Sequence, residues 1–503
     1  MAEIMNKSSD SQRMEKIVSL CKRRGFIFQS SEIYGGLNGL WDYGPLGVEL
    51  KRNLKNYWWR VMVHERDDVV GMDGSILTHP AVLTASGHVE GFSDLLVDCR
   101  TCKSRWRVDQ LVGKKVAWQC PRCGSKDITE PREFNLMLET HIGSIDPRSA
   151  PTYGEPAAGL TSVAVPSGAT VGGPILTTRS ENQPLDVTRP AGEQIALVYL
   201  RPETAQSIFV QFKNVLEVSR KKLPFGIAQM GKAFRNEINP RNFTFRSREF
   251  EQMELEYFCR AEQGIELLEY WKEERLKFYE NIGIARNKLH VRTVPDDERA
   301  FYSKGTYDIE YDFPFGRQEL EGVAYRTYYD LSQHQKASGK SLEYFDEETK
   351  QRFIPHVVEP SAGVDRTVLA LICEAYAEDQ APDEKGKMET RVVLRFHPRI
   401  APIKCAVFPL LKNKNPLVAK AKEVVDLLRP HMFVFYDESG AIGRRYRRQD
   451  EIGTPFGITV DFETLGEKDA ALQDTVTLRD RDSMKQERVK ISDLIELLSV
   501  RIA

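Results

Sequence analysis

The sequence predicts a mixture of helices and strands that carries a cysteine-paired insertion and ends in a separate α/β domain. Three observations predict it. Apolar stretches between Pro224 and Tyr257 read as two strands joined by a polar loop. Two CxxC pairs fall in the first third of the chain. Beyond about Pro402, short apolar strands alternate with helical segments.

At 503 residues the chain suits two or three domains. With 41% hydrophobic and 29% charged residues it can bury a sizeable core and is not broadly disordered. The formal net charge of -2 argues against a nucleic-acid binder working by bulk positive charge, while local basic contacts stay open. No apolar run approaches the roughly 18 residues of a membrane span. The first residues lack the apolar core of a signal peptide. The expectation is a cytoplasmic protein with no membrane partner.

In chain order, Met14 to Arg24 reads as a helix, followed by the glycine- and aromatic-rich turn region IYGGLNGLWDYGPLG. Pro45 suits the first turn of the next helix, where Leu46, Leu50, Leu54, Tyr57, Trp58 and Val61 form an apolar stripe for a core or a dimer interface. Val69 to Thr78 reads as one strand stopped by Pro80. Residues 144–193, rich in Pro, Gly, Ser, Thr and Ala, read as a surface insertion. Structure resumes at Ile195 and leads into RPETAQ. Tyr307, Ile309, Tyr311 and Phe313 alternate with acids, a strand with one wet face. Phe353 to Val358 is a further strand, and a helix begins at Val364. The polar AEDQAPDEKGKMET reads as the end of the first domain; IKCAVF, MFVFY and FGITVD are strands of the next.

Several motifs fail. SGKS at Ser338 lacks the upstream glycine of a P-loop, because His334 stands there, and HERDD at His64 lacks a second histidine. Asn242, Phe243 and Thr244 match a glycosylation acceptor, a chance match without a secretory signal.

Cys99, Cys102, Cys120 and Cys123 form CRTC and CPRC with a spacer of 17 residues, inside the zinc-ribbon range. Two such turns close a tetrahedron of thiolates with no open position, so the metal would be structural. A metal-free relic and an iron–sulfur site are the alternatives. Trp106, Trp118, Arg105, Arg107, Lys114 and Lys115 lie between the pairs, as core of a small module or as nucleic-acid contacts. Cys21, Cys259, Cys373 and Cys405 read as buried thiols.

Chemistry concentrates in three segments. In AFRNEINPRNFTFRSREFEQMELEYF, strand alternation puts Arg235 with Glu237, and Gln252 with Glu254 and Glu256, while the loop carries Arg241, Arg246 and Arg248. A surface salt-bridge ladder is the plain reading of such a hairpin. Apolar residues on both sides of these strands point instead to a buried face or cleft, where unpaired charge calls for a ligand. In HVVEPSAGVDR a strand ends at Glu359, small residues turn the chain, and Arg366 falls in the first turn of a helix, an anion site. RPETAQ places Glu203 after a proline-set turn.

FRNE with the loop after it resembles motif 2 of the class II aminoacyl-tRNA synthetases, and EPSAGVDR resembles their motif 3. The helix and strand that end at Pro80 resemble motif 1, the dimer element. With YGGLNGLWDYGPLG, ASGH, RPETAQ, FRSREFEQMELEYF and GRRYRRQDEIGTP, the set resembles the dimeric glycyl-tRNA synthetases over nearly the whole chain. The resemblance implies a class II synthetase-like α+β catalytic core built on an antiparallel sheet over 1–395. Within it fall a zinc-ribbon insertion at 95–130 and a low-complexity insertion at 144–193; an anticodon-binding domain covers 400–503. It implies attachment of glycine to tRNA(Gly) through a glycyl-adenylate, by a homodimer joined at the motif 1 region, with Mg2+ accompanying ATP and a structural Zn2+.

By the same resemblance Arg235 and Arg366 would be catalytic. ATP would be held by Arg235, Asn236, Glu237, Phe245, Arg246, Ser247, Arg248, Glu249, Phe250, Glu319 and Leu320, together with Gly363, Val364, Asp365 and Arg366. Glycine would meet Arg107, Glu203, Phe250, Glu251, Gln252, Met253, Glu254, Glu359, Pro360, Ser361, Ala362 and Gly363. An acid-filled pocket can exclude any side chain, so no editing domain is expected. Ser207 and Tyr328 depart from the family pattern, where glycine and an acidic residue are usual.

Arg444, Arg445, Arg447 and Arg448 lie within one or two turns of a C-terminal helix, as a solvated face or, by the resemblance, an RNA contact. Two rivals differ in class. A synthetase-like binding protein without catalysis typically loses the motif 2 or motif 3 arginine, whereas Arg235 and Arg366 are present here. An enzyme condensing two ATP molecules is the other.

Overall fold

The computed structural model of the chain describes residues 2–111, 118–142, 197–300, 302–382 and 386–503. The insertion expected at 144–193, and Lys114 and Lys115, lie outside them. The first helix, α1 (Ala2–Arg24), starts well before the expected Met14. The turn region that follows is pinned by a short antiparallel pair, β1 (Ile27–Gln29) with β2 (Trp41–Tyr43). Then α2 (Pro45–Trp59) opens with proline in its first turn, as expected. It buries Leu50, Leu54 and Trp58, so the apolar stripe is core. Gly47 lets this helix touch the preceding chain: a Cβ there would stand 1.8 Å from the Phe26 carbonyl oxygen.

The strand expected over Val69–Thr78 is two strands in different sheets, β3 (Val69–Gly71) and β4 (Leu77–Thr78). The break falls at Asp73-Gly74-Ser75, where the Gly74 amide donates to Gln229 Oε1 instead of a strand partner. Pro80 begins the short helix α3 (Pro80–Ala85), followed by α4 (His88–Gly91). The cysteine module is built on β5 (Ser93–Asp98), flanked by β6 (Arg105–Arg107) and β7 (Arg132–Asn135). β8 (Leu138–His141) and β9 (Leu197–Leu200) complete a small sheet with β4. α5 (Ala205–Ser219) leads from RPETAQ into the hairpin β10 (Phe225–Phe234) and β11 (Glu249–Cys259).

Beyond α6 (Gly264–Asn281) come β12 (Leu289–Thr293), β13 (Gly305–Phe313) and β14 (Gly316–Thr327), then α7 (Tyr329–Ser338). A two-strand pair, β15 (Tyr344–Phe345) with β16 (Arg352–Phe353), precedes β17 (His356–Gly363) and α8 (Val364–Ala375). β17 does not end at Glu359 as expected. Its small residues stay in the sheet through Gly363, paired with both β11 and β14. The central sheet runs β12-β13-β14-β17-β11-β10-β3, antiparallel except where β3 joins β10 in parallel. α2, α6 and α8 bury one face of it: Met253, Leu255, Val358 and Ala362 share one apolar cluster with Leu54, Trp58 and Val368. The other face forms the cleft described below.

The polar stretch expected to end the first domain carries two antiparallel paired strands, β18 (Tyr376–Pro382) and β19 (Met388–Leu394). After it come β20 (Cys405–Pro409), α9 (Asn415–Leu428), β21 (Val434–Tyr436), α10 (Ile442–Ile452), β22 (Phe456–Val460), β23 (Thr475–Asp480), β24 (Gln486–Lys490) and α11 (Leu494–Ile502). Their sheet runs β21-β20-β22-β23-β24, parallel among the first three strands and antiparallel in the rest. It has its own core, around Val407, Leu417, Ile458 and Leu478.

Candidate active site

Alternation along the central sheet decides what faces the cleft. On β11, Phe250, Gln252 and Glu254 line a cavity of about 250 Å³, and on β17 so do Glu359, Ser361 and Gly363. Arg235, Glu237, Phe245, Arg246, Ser247, Glu319, Leu320, Asp365, Arg366 and Glu203 border the same space. The expected union of Arg235 with Arg366 therefore holds, although their segments lie 131 positions apart. Arg235 and Glu237 follow the end of β10 rather than sharing a strand face.

The same alternation turns several expected contacts away. Met253 and Ala362 point into the core, Val364 is buried in α8, and Pro360 is buried on the sheet beside Ala362 without lining the cavity. Glu251 instead meets Lys51 Nζ at 2.9 Å and Lys55 Nζ at 3.0 Å. Glu249 pairs with Lys232. Arg248 is committed to carbonyls, donating to Glu237 O and Asn38 O. The Asn236 amide binds the Leu136 carbonyl, and its side chain does not line the cavity. Arg107, on β6, also stands outside. It pairs with Asp94 at 3.0 Å, and Asp94 in turn lies 3.7 Å from Arg246, so its link to the cleft is indirect.

At the outer end the arginines stay within reach of an anion. Arg366 lies 4.6 Å from the Phe245 ring centre and 3.4 Å from a Glu319 carboxylate oxygen. Arg246 Nε donates to Glu237 at 2.5 Å. Arg235 donates to the Pro202 carbonyl and rests 5.3 Å from the Phe250 ring centre. Behind Arg366, Asp365 accepts from the Glu251 amide, Tyr43 and Lys51, which fixes the start of α8 against α2 and β11.

The inner end is acidic. Glu203, Glu254 and Glu359 converge there, with Ser361 donating to Glu254 at 2.7 Å and Thr204 donating to the other Glu254 oxygen. Burial pushes Glu203 up, but His88, 3.4 Å away, and Arg326 outweigh it and hold Glu203 below the usual carboxylate range. Burial pushes Glu254 up, and the charge of Glu203 adds to that. Glu359 is pushed up to about 8, by burial first, against the pull of Arg326. Gly231 keeps the RPET turn in place: a Cβ there would stand 2.1 Å from Arg201 Nη2, which braces that turn.

Arg326, which belongs to none of the three chemical segments read from the sequence, is the cation in the middle of these acids. It is 3% exposed, its Nη1 donates to both oxygens of Glu359 at 2.9 Å, and its Nε and Nη2 clamp Asp330. It is the extra residue of a β-bulge in β14, between Tyr325 and Thr327, and Thr327 has φ 60. A bulge re-aims one side chain, and a β-branched residue at positive φ is strained. In the sequence Arg326 is one arginine within a strand of mixed polarity, which by itself is uninformative. Of the departures, Ser207 accepts from Gln229 Nε2 at 2.8 Å behind the niche, and Tyr328 is half exposed, away from the cavity.

Elsewhere, the Sγ atoms of Cys99, Cys102, Cys120 and Cys123 all lie within 4.8 Å of one another, with Cys99–Cys123 at 3.6 Å and Cys102–Cys120 at 3.7 Å. Zinc–sulfur bonds of about 2.3 Å give a tetrahedron with edges of about 3.8 Å, so the donor set fits that ion. In the C-terminal arginine run the structure separates roles. Arg445 is 2% exposed and bound to the Gly440 and Pro409 carbonyls, which corrects its expected RNA contact. Arg448 pairs with Asp437 and Arg447 donates to the Pro382 carbonyl, while Arg444 is exposed.

Residues 193–376 match the family described as the tRNA synthetase class II core domain (G, H, P, S and T), and residues 404–501 match the anticodon binding domain. The glycine–tRNA ligase of Thermobifida fusca is 47% identical over 512 residues, covering 99% of this chain and 99% of that protein. That of Treponema denticola is 48% identical over 491 residues, covering 97% of each. That of Streptomyces coelicolor is 46% identical, over 98% of this chain and 99% of its own.

Proposed function

Because this chain belongs to the glycine–tRNA ligases, we propose that its cleft joins glycine to ATP as an adenylate and passes the glycyl group to tRNA(Gly). The observation that carries the reading is one cavity with arginines at its outer end and an acid-lined niche at its inner end. The glycine carboxylate attacks the α-phosphorus, the bond to the β-phosphate oxygen breaks, and pyrophosphate leaves with the electron pair. A tRNA 3′-terminal hydroxyl then attacks the adenylate carbonyl, and AMP leaves. No protein nucleophile is required; aligning the two anions supplies the rate.

Arg235, at the junction of the two ends, would bind the α-phosphate as negative charge grows there. Arg366 and Arg246 would face the outer phosphates, and Glu237 the adenine. The Glu319 carboxylate beside Arg366 is a hard oxygen donor suited to Mg2+, which when bound with ATP offsets phosphate charge. Glu203, Glu254 and Glu359 would receive the glycine ammonium. Four thiolates would hold a structural zinc. Ile33, Tyr34 and Leu37 are exposed just ahead of α2, an apolar patch that favours pairing with a second copy at the motif 1 region.

Pyrophosphate exchange measured across the amino acids tests the assignment. Exchange should depend on glycine and be absent with alanine and serine; equal exchange with alanine would overturn the acid-niche reading.

A further inference from the structure

One carboxyl group at the inner end has no task in the chemistry above. Glu256 lies two residues beyond Glu254 on the same face of β11 and is 0% exposed. Neither of its carboxyl oxygens has a hydrogen-bond partner among the described residues. Carboxyl oxygens of Glu254, Glu256 and Glu359 all lie within 4.8 Å of one another. Its cross-strand partner on β10 is Ile227, which belongs to an apolar cluster with Phe209, Phe212 and Phe258.

The groups that face Glu256 are Glu254 from its own strand, Glu359 from β17, Arg326 from β14 and Asp330 from α7. Arg326 is the only cation among these four, and its guanidinium is already committed to Glu359 and Asp330. An ionised Glu256 would sit between like charges and an apolar cluster, unpaired and dry, which is strongly unfavourable. As a neutral acid it gains an O–H that can donate, where the ionised form only accepts. Both neighbours are acceptors, and the terminal torsion of a glutamate is broad enough to swing that O–H towards either.

We propose that Glu256 is a positioning residue that stays protonated and donates its single O–H from behind to Glu254 or Glu359, so that the pair keeps its remaining lone pairs aimed at the niche that receives the amino acid's ammonium. The proposal rests on the glycine reading of that niche. Burial, and then the charge of Glu359, push Glu256 ionisation well above the usual carboxylate range, in keeping with the geometry. Without the donor, the Glu254–Glu359 pair splays apart or Glu254 takes up a proton, and both outcomes weaken ammonium binding.

The test uses the full chain in glycine-dependent pyrophosphate exchange, with KM for glycine and for ATP measured separately. Glu256→Gln keeps a donor and no charge, so glycine KM should stay within about twofold with an unchanged pH profile. Glu256→Met keeps length but removes the donor, so glycine KM should rise about tenfold or more while ATP KM stays within about twofold. A Glu256→Gln variant as impaired as Glu256→Met, or a changed pH profile, would show that the charge is needed and overturn the proposal. So would a Glu256→Met variant with wild-type glycine KM. If Glu256→Met fails to fold, Glu256→Leu, which also lacks the donor, takes its place with the same expected and overturning results. Glu254→Gln in the same assay separates the two ideas: its failure to weaken glycine activation sinks the niche reading itself.

Discussion

At the scale of single residues, the niche is a charge-balance problem. Glu203, Glu254, Glu359 and Asp330 surround one buried arginine, Arg326. Glu254 is held open by Thr204 and Ser361, with its charge facing the cavity. Glu254→Gln should lower glycine activation about tenfold or more, since a charge-assisted contact is worth roughly 1.5–3 kcal/mol; pyrophosphate exchange reads it out. Glu359 gives a pH dependence. Its acid is raised to about 8, so below that pH the free protein holds a proton that an ammonium ligand would displace. Glycine binding should therefore release protons near pH 7, and glycine affinity should improve as pH rises towards 8. Calorimetry in buffers of different ionisation enthalpy checks this, and a buffer-independent heat contradicts it. The sign for folding runs the other way: between the ordinary carboxylate range and 8 the folded state binds the extra proton, so this group lowers stability as pH rises through that window.

Elements impose the next level of order. β11 alternates between the cavity and the core, so neighbours in one motif do unlike things. Met253→Ala, on the core side, should cost about 2–5 kcal/mol in stability yet leave glycine KM unchanged, as thermal melting and exchange kinetics would show. The motif window read from the sequence covered both faces because a resemblance reports positions, not directions. The cysteine module is a second case. Its strands are short and, among the described residues, little is buried there beyond Leu96, Val97, Cys99 and Cys120, so its shape depends on what joins the four sulfurs. About one zinc per chain is expected, and Cys102→Ser should lower both zinc content and melting temperature; less than about half a zinc per chain would remove the metal.

Across the whole molecule, the second sheet is tied to the first part of the chain by buried charge. Arg391 of β19 donates to Asp379 of β18 and to Asp450 of α10, and Asp450 also accepts from Arg479. Arg481 donates to the Phe396 carbonyl, and Asn53 of α2 to the Ala401 carbonyl. Deleting residues 400–503 would leave Arg391, a 2% exposed cation, without Asp450, so loss of folding would mask any modular effect. A point change is cleaner. Arg444→Ala should weaken tRNA charging and spare pyrophosphate exchange, whereas Arg445→Ala should lower the melting temperature instead. Equal loss of charging and exchange in Arg444→Ala would contradict an RNA contact at that position.

Most elements and their chemistry were legible locally: helices and strands follow periodicity, the cysteine pairs follow spacing, and FRNE, RPETAQ and EPSAGVDR carried the family resemblance. Only the tertiary structure decided direction and partnership. It broke the Val69–Thr78 strand where a glutamine side chain took over an amide, kept β17 straight through Gly363, and buried Arg445. It also set Arg326 and Glu256 among acids from β11, β17, α7 and the RPET turn. A side chain's ionisation and aim depend on neighbours that are distant in the chain, and no local pattern encodes those.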